Sequence, residues 1–374
     1  MEKNHNLKEL AQVFLKLGIT AFGGPAAHIA MMQQEVVTKR KWMSEEHFLD
    51  LIGATNLIPG PNSTEMAIHI GQVRAGWKGL IVAGLCFICP AVIITLFFAW
   101  LYKLYGQLPE VQPFIYGIKP AIISVILAAI YPLAKKSLKT IQLWAIGIAV
   151  LILSLLGINE ILLLFGSGVL AMLLNLMNTK NNVNSFIPIT LFQVSIIDFT
   201  STKNLHLFLA FLKIGAILYG SGYVLFAFLD AELVTTGMLT RQQLIDAIAV
   251  GQFTPGPVFS SVTFIGYQIN GLSGSIISTI AIFLPSFVFV ALLHPLIKKM
   301  RNSKPLSAFL DAVNVASVAI IVTVCYEMAK DSITDWRTIV ITVISLLFGF
   351  KFNKINSAFV VFGGAVLGYF LFKI

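Results

Sequence analysis

The chain has 374 residues, of which 57% are hydrophobic and only 11% charged, and its mean hydropathy of +0.85 lies outside the range of soluble globular domains. Such a chain needs lipid as its solvent. The net charge of +9 does not point to nucleic acid, because the basic residues sit in short clusters between apolar runs and build no continuous basic face.

About ten apolar stretches approach the roughly 20 residues a helix needs to cross a bilayer core. The opening segment, Met1 to Leu10, is polar and lacks the basic region and small-residue cleavage site of a secretory signal, so the first helix is expected to stay attached. A long helix is predicted over 9–32, bent or loosened at Gly23-Gly24-Pro25, although the same glycines would also serve tight helix packing. An amphipathic stretch begins near Ser44 and runs to a break at Pro59-Gly60-Pro61. The segments on either side, 44–58 and 62–73, are each too short and too polar to cross alone, which predicts a re-entrant hairpin shielded by protein or a water-filled cavity. Four spanning helices follow at 76–104, 117–138, 140–157 and 159–178. Cys86 and Cys89 form a lone Cys-x-x-Cys inside the first of these, with no second pair to complete a metal site, and with Cys325 they read as helix packing.

The stretch from Asn178 to Asn204, rich in Asn and Ser, reads as a linker. Beyond it the pattern begins again. A long helix is predicted over 204–229, an amphipathic stretch starts at Thr240, and Pro255-Gly256-Pro257 breaks it. Spans at 271–300, 306–329, 335–350 and 355–373 complete the chain. Phe14-Leu15-Lys16-Leu17-Gly18 returns as Phe211-Leu212-Lys213-Ile214-Gly215, Gly23 as Gly220, Glu35 as Glu232 and Asp50 as Asp246. Gly71, Gly76, Gly79 and Pro90 return as Gly266, Gly271, Gly274 and Pro285. Glycine and proline mark special backbone positions, so matches of this kind in register indicate a shared fold. With an odd number of crossings in each half, the second enters the membrane upside down. The expected architecture is therefore an all-α polytopic membrane protein of two inverted-topology repeats, 1–203 and 204–374, each with about five transmembrane helices and a re-entrant helical hairpin. Placing the N-terminus outside puts roughly two-thirds of the basic residues on the cytoplasmic face.

Inverted repeats with broken helices are a transporter architecture in which half-helix N-termini meet substrate near the membrane midplane. The tips Gly60-Pro61-Asn62-Ser63-Thr64 and Gly256-Pro257-Val258-Phe259-Ser260-Ser261 supply such termini, whose free N–H groups and dipole favour an anion. The hydroxyls could equally act as caps. Asn56 and Gln252 precede the two breaks by the same spacing and could donate to an oxyanion or satisfy broken-helix carbonyls. Lys16 and Lys213 recur about two turns into the first helix of each half, as substrate-binding cations or as snorkelling side chains. His28, Glu35, Glu65, His69 and Glu232 are the candidates for carrying coupling protons.

Phe22-Gly23-Gly24-Pro25-Ala26-Ala27-His28, Trp42-Met43-Ser44-Glu45-Glu46-His47-Phe48, Pro59-Gly60-Pro61-Asn62-Ser63-Thr64 and Arg74-Ala75-Gly76-Trp77 closely resemble the chromate ion transporter (CHR) family. Gln252-Phe253-Thr254-Pro255-Gly256-Pro257 is similar to that family's repeated domain, so the resemblance covers both halves. It implies a long-chain, two-domain carrier in the bacterial inner (plasma) membrane that exports chromate and confers resistance, with sulfate as the related oxyanion. Val258-Phe259 stands where the first tip has Asn62-Ser63, which puts a symmetric two-site arrangement in doubt. The rival readings are a sulfate or other oxyanion carrier, an anion channel, and a membrane-embedded enzyme. The sequence has no His-Glu-x-x-His, no Gly-x-Ser-x-Gly and no Walker A loop, which argues against the enzyme and against ATP as direct energy source. No enzyme activity, cofactor, metal or nucleic acid is expected. The expected partners are a chromate- or sulfate-like oxyanion and membrane lipid, and a homodimer is compatible with the sequence.

Overall fold

The computed structural model of the protein describes residues 2–178, 203–220, 222–293, 303–351 and 356–372. Ser221 and most of the expected linker lie outside the described residues. Within them the chain is helical, without strands.

The first half contains α1 (Glu2–Thr20), α2 (Pro25–Gln33), α3 (Glu45–Thr55), α4 (Asn62–Tyr105), α5 (Gln112–Ser137), α6 (Ile141–Leu155) and α7 (Glu160–Asn178). The second contains α8 (Lys203–Ile217), α9 (Val224–Leu229), α10 (Arg241–Phe253), α11 (Ser261–Leu293), α12 (Lys304–Ser332), α13 (Trp336–Lys351) and α14 (Ser357–Leu371). Starts follow capping chemistry. The Ser44 hydroxyl accepts from His47 N at 3.2 Å, and Thr240 and Gln243 close a reciprocal capping box.

The long first helices expected over 9–32 and 204–229 are not continuous. Each is broken, at 21–24 and at 218–220, because Gly23 (φ 105°) and Gly220 (φ 98°) take a backbone that L side chains rarely adopt. The expected bend is thus a full interruption. The two pieces that follow, 34–39 and 230–234, are both π-helical.

Both Pro-Gly-Pro elements separate two short helical arms, as expected, and the second arm then folds back on itself. In α4 the backbone leaves helical geometry at Ala75 and Gly76 (φ 62°, ψ −151°), and in α11 at Asn270 and Gly271 (φ 61°, ψ −148°). Gly71 and Gly79 meet backbone to backbone, as do Gly266 and Gly274. Residues eight apart in a straight helix would stand about 12 Å apart, so these contacts define tight helical hairpins.

The halves interlock. α1 packs on α4 and α8 on α11, and α4 and α11 join the two units. α5 is held by α13 and α14 of the second half, and α12 is held by α6 and α7 of the first. Small residues allow this approach: Gly117 lies against the backbone of Gly364 and Gly368.

Among the described residues, five helices are long and apolar enough to cross a membrane, within 62–105, 112–137, 160–177, 258–292 and 304–332. Two shorter apolar helices, Ile141–Leu155 and Ser357–Leu371, are added to these. Large apolar side chains such as Ile93, Phe97, Ile148, Leu162, Ile276 and Phe359 face outward, the pattern of a lipid-facing surface. α12 is the most enclosed of the five spans.

Candidate functional site at the Pro-Gly-Pro tips

The two tips are fastened by exchange. Gly60 N donates to Leu218 O at 2.7 Å, and Gly256 N donates to Ala21 O at 2.8 Å. Ala21 and Leu218 occupy matching positions just ahead of the glycine break in each first helix, so each tip is held by the broken helix of the other half. A broken helix leaves carbonyls without intrahelical donors, and the tip glycines supply them. Gly60 (φ 135°) and Gly256 (φ 85°) hold conformations suited to glycine.

Below the first tip, Ser63, Thr64, Glu65 and His69 are all buried at the start of α4. Thr64 Oγ1 has no hydrogen-bond partner among the described residues. Glu65 is fully buried, and Oε1 converges with Ser286 Oγ over the Cα of Gly60. It is thus a carboxylate of the first tip lying against the second half.

Asn56 and Asn62 hold each other rather than standing free. Asn62 Nδ2 donates to Asn56 Oδ1 at 3.0 Å, and Asn56 Nδ2 donates to Ile52 O at 2.9 Å. The latter is the carbonyl-satisfying role. On the second tip, Ser260 and Ser261 are buried, and Thr95 Oγ1 of the first half lies 3.3 Å from Ser260 Oγ and 3.4 Å from Thr254 Oγ1. Ser261 Oγ has no partner among the described residues. Gln252 Oε1 accepts from Ser357 Oγ at 2.9 Å, tying α10 to α14.

The lysines and glutamates matched across the repeat meet each other. Lys213 Nζ lies 2.5 Å from Glu232 Oε1, and Lys16 Nζ lies 3.6 Å from Glu35 Oε1. Glu35 also takes Lys39 and Arg40, both at 2.8 Å, and the Lys39 hydrogen bond holds its carboxyl below the usual carboxylate range. These residues form ion pairs between each half's first helix and the π-helical piece that follows its break. His28 is buried edge-on to Phe87, with ring centroids 5.7 Å apart.

The Lys213–Glu232 pair is part-exposed, and pairs of that kind contribute about 0–1 kcal/mol. Exchanging the two residues, Lys213→Glu with Glu232→Lys, is expected to keep stability and transport near the parent chain's. Lys213→Glu alone should cost more than the exchange, as measured by detergent-solubilised melting. A double exchange no better than the single change would show that the pair does not act as a unit.

The sequence reading passed over Tyr102, Lys119 and Asp246. Tyr102 Oη donates to Asp246 Oδ2 at 2.5 Å, and Asp246 is buried at 4% exposure. The signal was present, since Asp246 matches Asp50 across the repeat and Lys119 is a cation inside a predicted span.

The family profile described as Chromate transporter matches residues 8–172 and 205–369, one stretch in each half. The chain belongs to the chromate transporter family. It is similar to a probable chromate transport protein of Synechococcus elongatus, 32% identical over 359 residues that cover 94% of this chain and 91% of that protein. The chromate transport protein of Cupriavidus metallidurans is 31% identical over 374 residues, covering 97% of this chain and 93% of its own. That of Pseudomonas aeruginosa is 27% identical over 385 residues, 96% of this chain and 91% of its own. No solved structure matches. Family membership and the apolar helices make this a multi-pass membrane protein of a transporter family rather than of an enzyme family.

Proposed function

We propose that the protein is a secondary transporter that moves chromate across the plasma membrane, in the direction of efflux, through two inverted repeats that make ten crossings. The tips are then re-entrant hairpins, and substrate binds between them at the helix starts carrying Asn62, Ser63, Thr64, Ser260 and Ser261. The observation that carries this reading is the reciprocal anchoring of Gly60 and Gly256 on the other half's broken helix. It makes the two tips one mechanical unit at the junction of the halves, where a rocking motion would open one tip as it closes the other. The relatives' names supply the ion. Chromate is a tetrahedral dianion suited to N–H groups and hydroxyls, and sulfate fits the same cradle. Glu65, buried beside the tip, is the coupling group this geometry favours over Glu35 and Glu232, which are spent in ion pairs.

The test is uptake of labelled chromate and sulfate into proteoliposomes, with and without a pH gradient and with the other anion trapped inside. Saturable movement that depends on the gradient or on the trapped anion is expected, and Asn62→Ala should lower it at unchanged protein incorporation. Movement of neither anion would overturn the reading, and non-saturable flux without counterflow would make the protein a channel.

A further inference from the structure

A cavity of about 300 Å³ opens away from the tips, where α5, the first turn of α10 and the end of α12 meet, lined by Tyr116, Lys119, Gln242, Asp331, Ser332 and Thr334 among others. Its lining carries one cation, Lys119, and one carboxylate, Asp331, among neutral polar groups. Gln242 Nε2 and Ser332 Oγ are buried without hydrogen-bond partners among the described residues, and Ser332 is only 6% exposed. Unsatisfied buried polar atoms are costly and call for a ligand, an ion or water. Lys119 lines the cavity with no salt bridge within 4 Å among the described residues, and its electrostatic partner is the buried Asp246. Asp246, the acid whose field it feels, already accepts from Tyr102. Asp331, the acid in the lining, is engaged by Arg241 at 3.4 Å, and the Arg337 guanidinium lies 5.7 Å from the Tyr116 ring centroid. The N-terminus of α10 adds its positive dipole end at Gln242.

We infer that this cavity is a second oxyanion subsite, distinct from the tips, in which Lys119, Gln242 and Ser332 hold a tetrahedral dianion of the sulfate or chromate class. It deepens the transporter reading and rests on it, as a station where the anion waits on entering or leaving. The lining comes from both halves, so occupancy would report on how they sit against each other. A phospholipid phosphate presents the same chemistry as a free oxyanion, and the test separates them.

Thr334, exposed at the rim, provides the reporter. Thr334→Cys is placed in a chain whose Cys86, Cys89 and Cys325 are replaced by Ser, and the chain is reconstituted in pure phosphatidylcholine vesicles. The rate of modification by a membrane-permeant thiol reagent is measured in sulfate and in chloride at equal ionic strength. Sulfate is expected to slow labelling, and Lys119→Gln to raise the sulfate concentration for half-protection by at least about tenfold, the value of one charge-assisted hydrogen bond. Gln242→Ala should act in the same direction and serves if Lys119→Gln does not fold. Equal labelling in sulfate and chloride overturns the subsite, as does protection unchanged in both variants. Protection that appears only when phosphatidylglycerol is added, with sulfate inert, assigns the cavity to a headgroup and also overturns it. Chromate and sulfate uptake assayed in the same reconstituted chain with Glu65 intact separates the two proposals. Lys119-dependent protection in a chain that transports nothing leaves the subsite standing while the transport reading falls.

Discussion

Glu65→Gln is expected to abolish pH-gradient-driven chromate movement, a loss on the order of 100-fold, while chromate counterflow at equal pH persists and the melting temperature stays level or rises. The carboxylate is fully buried against Gly60 and Ser286 and makes no hydrogen bond to a cation among the described residues. A buried charge without a counter-ion costs several kcal/mol, and an intramembrane carboxylate is retained where it has work to do. The amide keeps the shape and removes the titration, so a purely structural Glu65 would leave driven transport unchanged. Side-by-side flux with and without the gradient decides between these outcomes. Glu35→Gln provides the contrast. Its carboxylate sits among Lys16, Lys39 and Arg40, and its loss should disturb the local ion pairs without removing the gradient dependence.

Gly60→Ala is expected to destabilise the protein by at least about 3 kcal/mol, and Gly256→Ala by about 1–2 kcal/mol. Both positions have positive φ, so each alanine carries backbone strain. The difference is steric. A β-carbon on Gly60 would collide with Glu65 Oε1 and stand 2.6 Å from Ser286 Oγ, whereas on Gly256 its nearest neighbour is Ala91 Cβ at 3.0 Å. Both changes also press on a tip whose N–H fastens it to the opposite half, so transport should fall further than stability does. Unfolding in detergent, read by thiol accessibility of the buried Cys325, gives the ranking. Equal losses at the two glycines would show that the tips are packed alike and that the crowding beside Glu65 carries no weight.

Much of this architecture was legible because it is written in residues with strong local rules. Matching glycines and prolines mark two copies of one backbone, and they fall at the matching breaks, tips and hairpin turns. Ser44 and Thr240 begin their helices because a β-region hydroxyl accepts a first-turn N–H wherever it occurs. The completeness of the breaks in the first helices was harder to read, since glycine permits a kink, a break or close packing alike, and the neighbouring half decides among them. The pairing of Lys16 with Glu35 and Lys213 with Glu232 lay in plain view as two matched sets, yet their separation in sequence gives no hint that they meet.

What the sequence by itself determined is the helical membrane class, the duplication, the two Pro-Gly-Pro breaks and the family, because hydropathy, backbone exceptions and motif runs are local properties. What only the tertiary structure decided is the exchange between the halves. Tip glycines bond across to Ala21 and Leu218, α5 and α12 are clasped by the opposite half, and Lys119 faces a cavity with Gln242 and Ser332. These are long-range contacts among residues with ordinary local preferences. They become definite only when burial forces each orphaned carbonyl, hydroxyl and charge to find its partner in the other repeat.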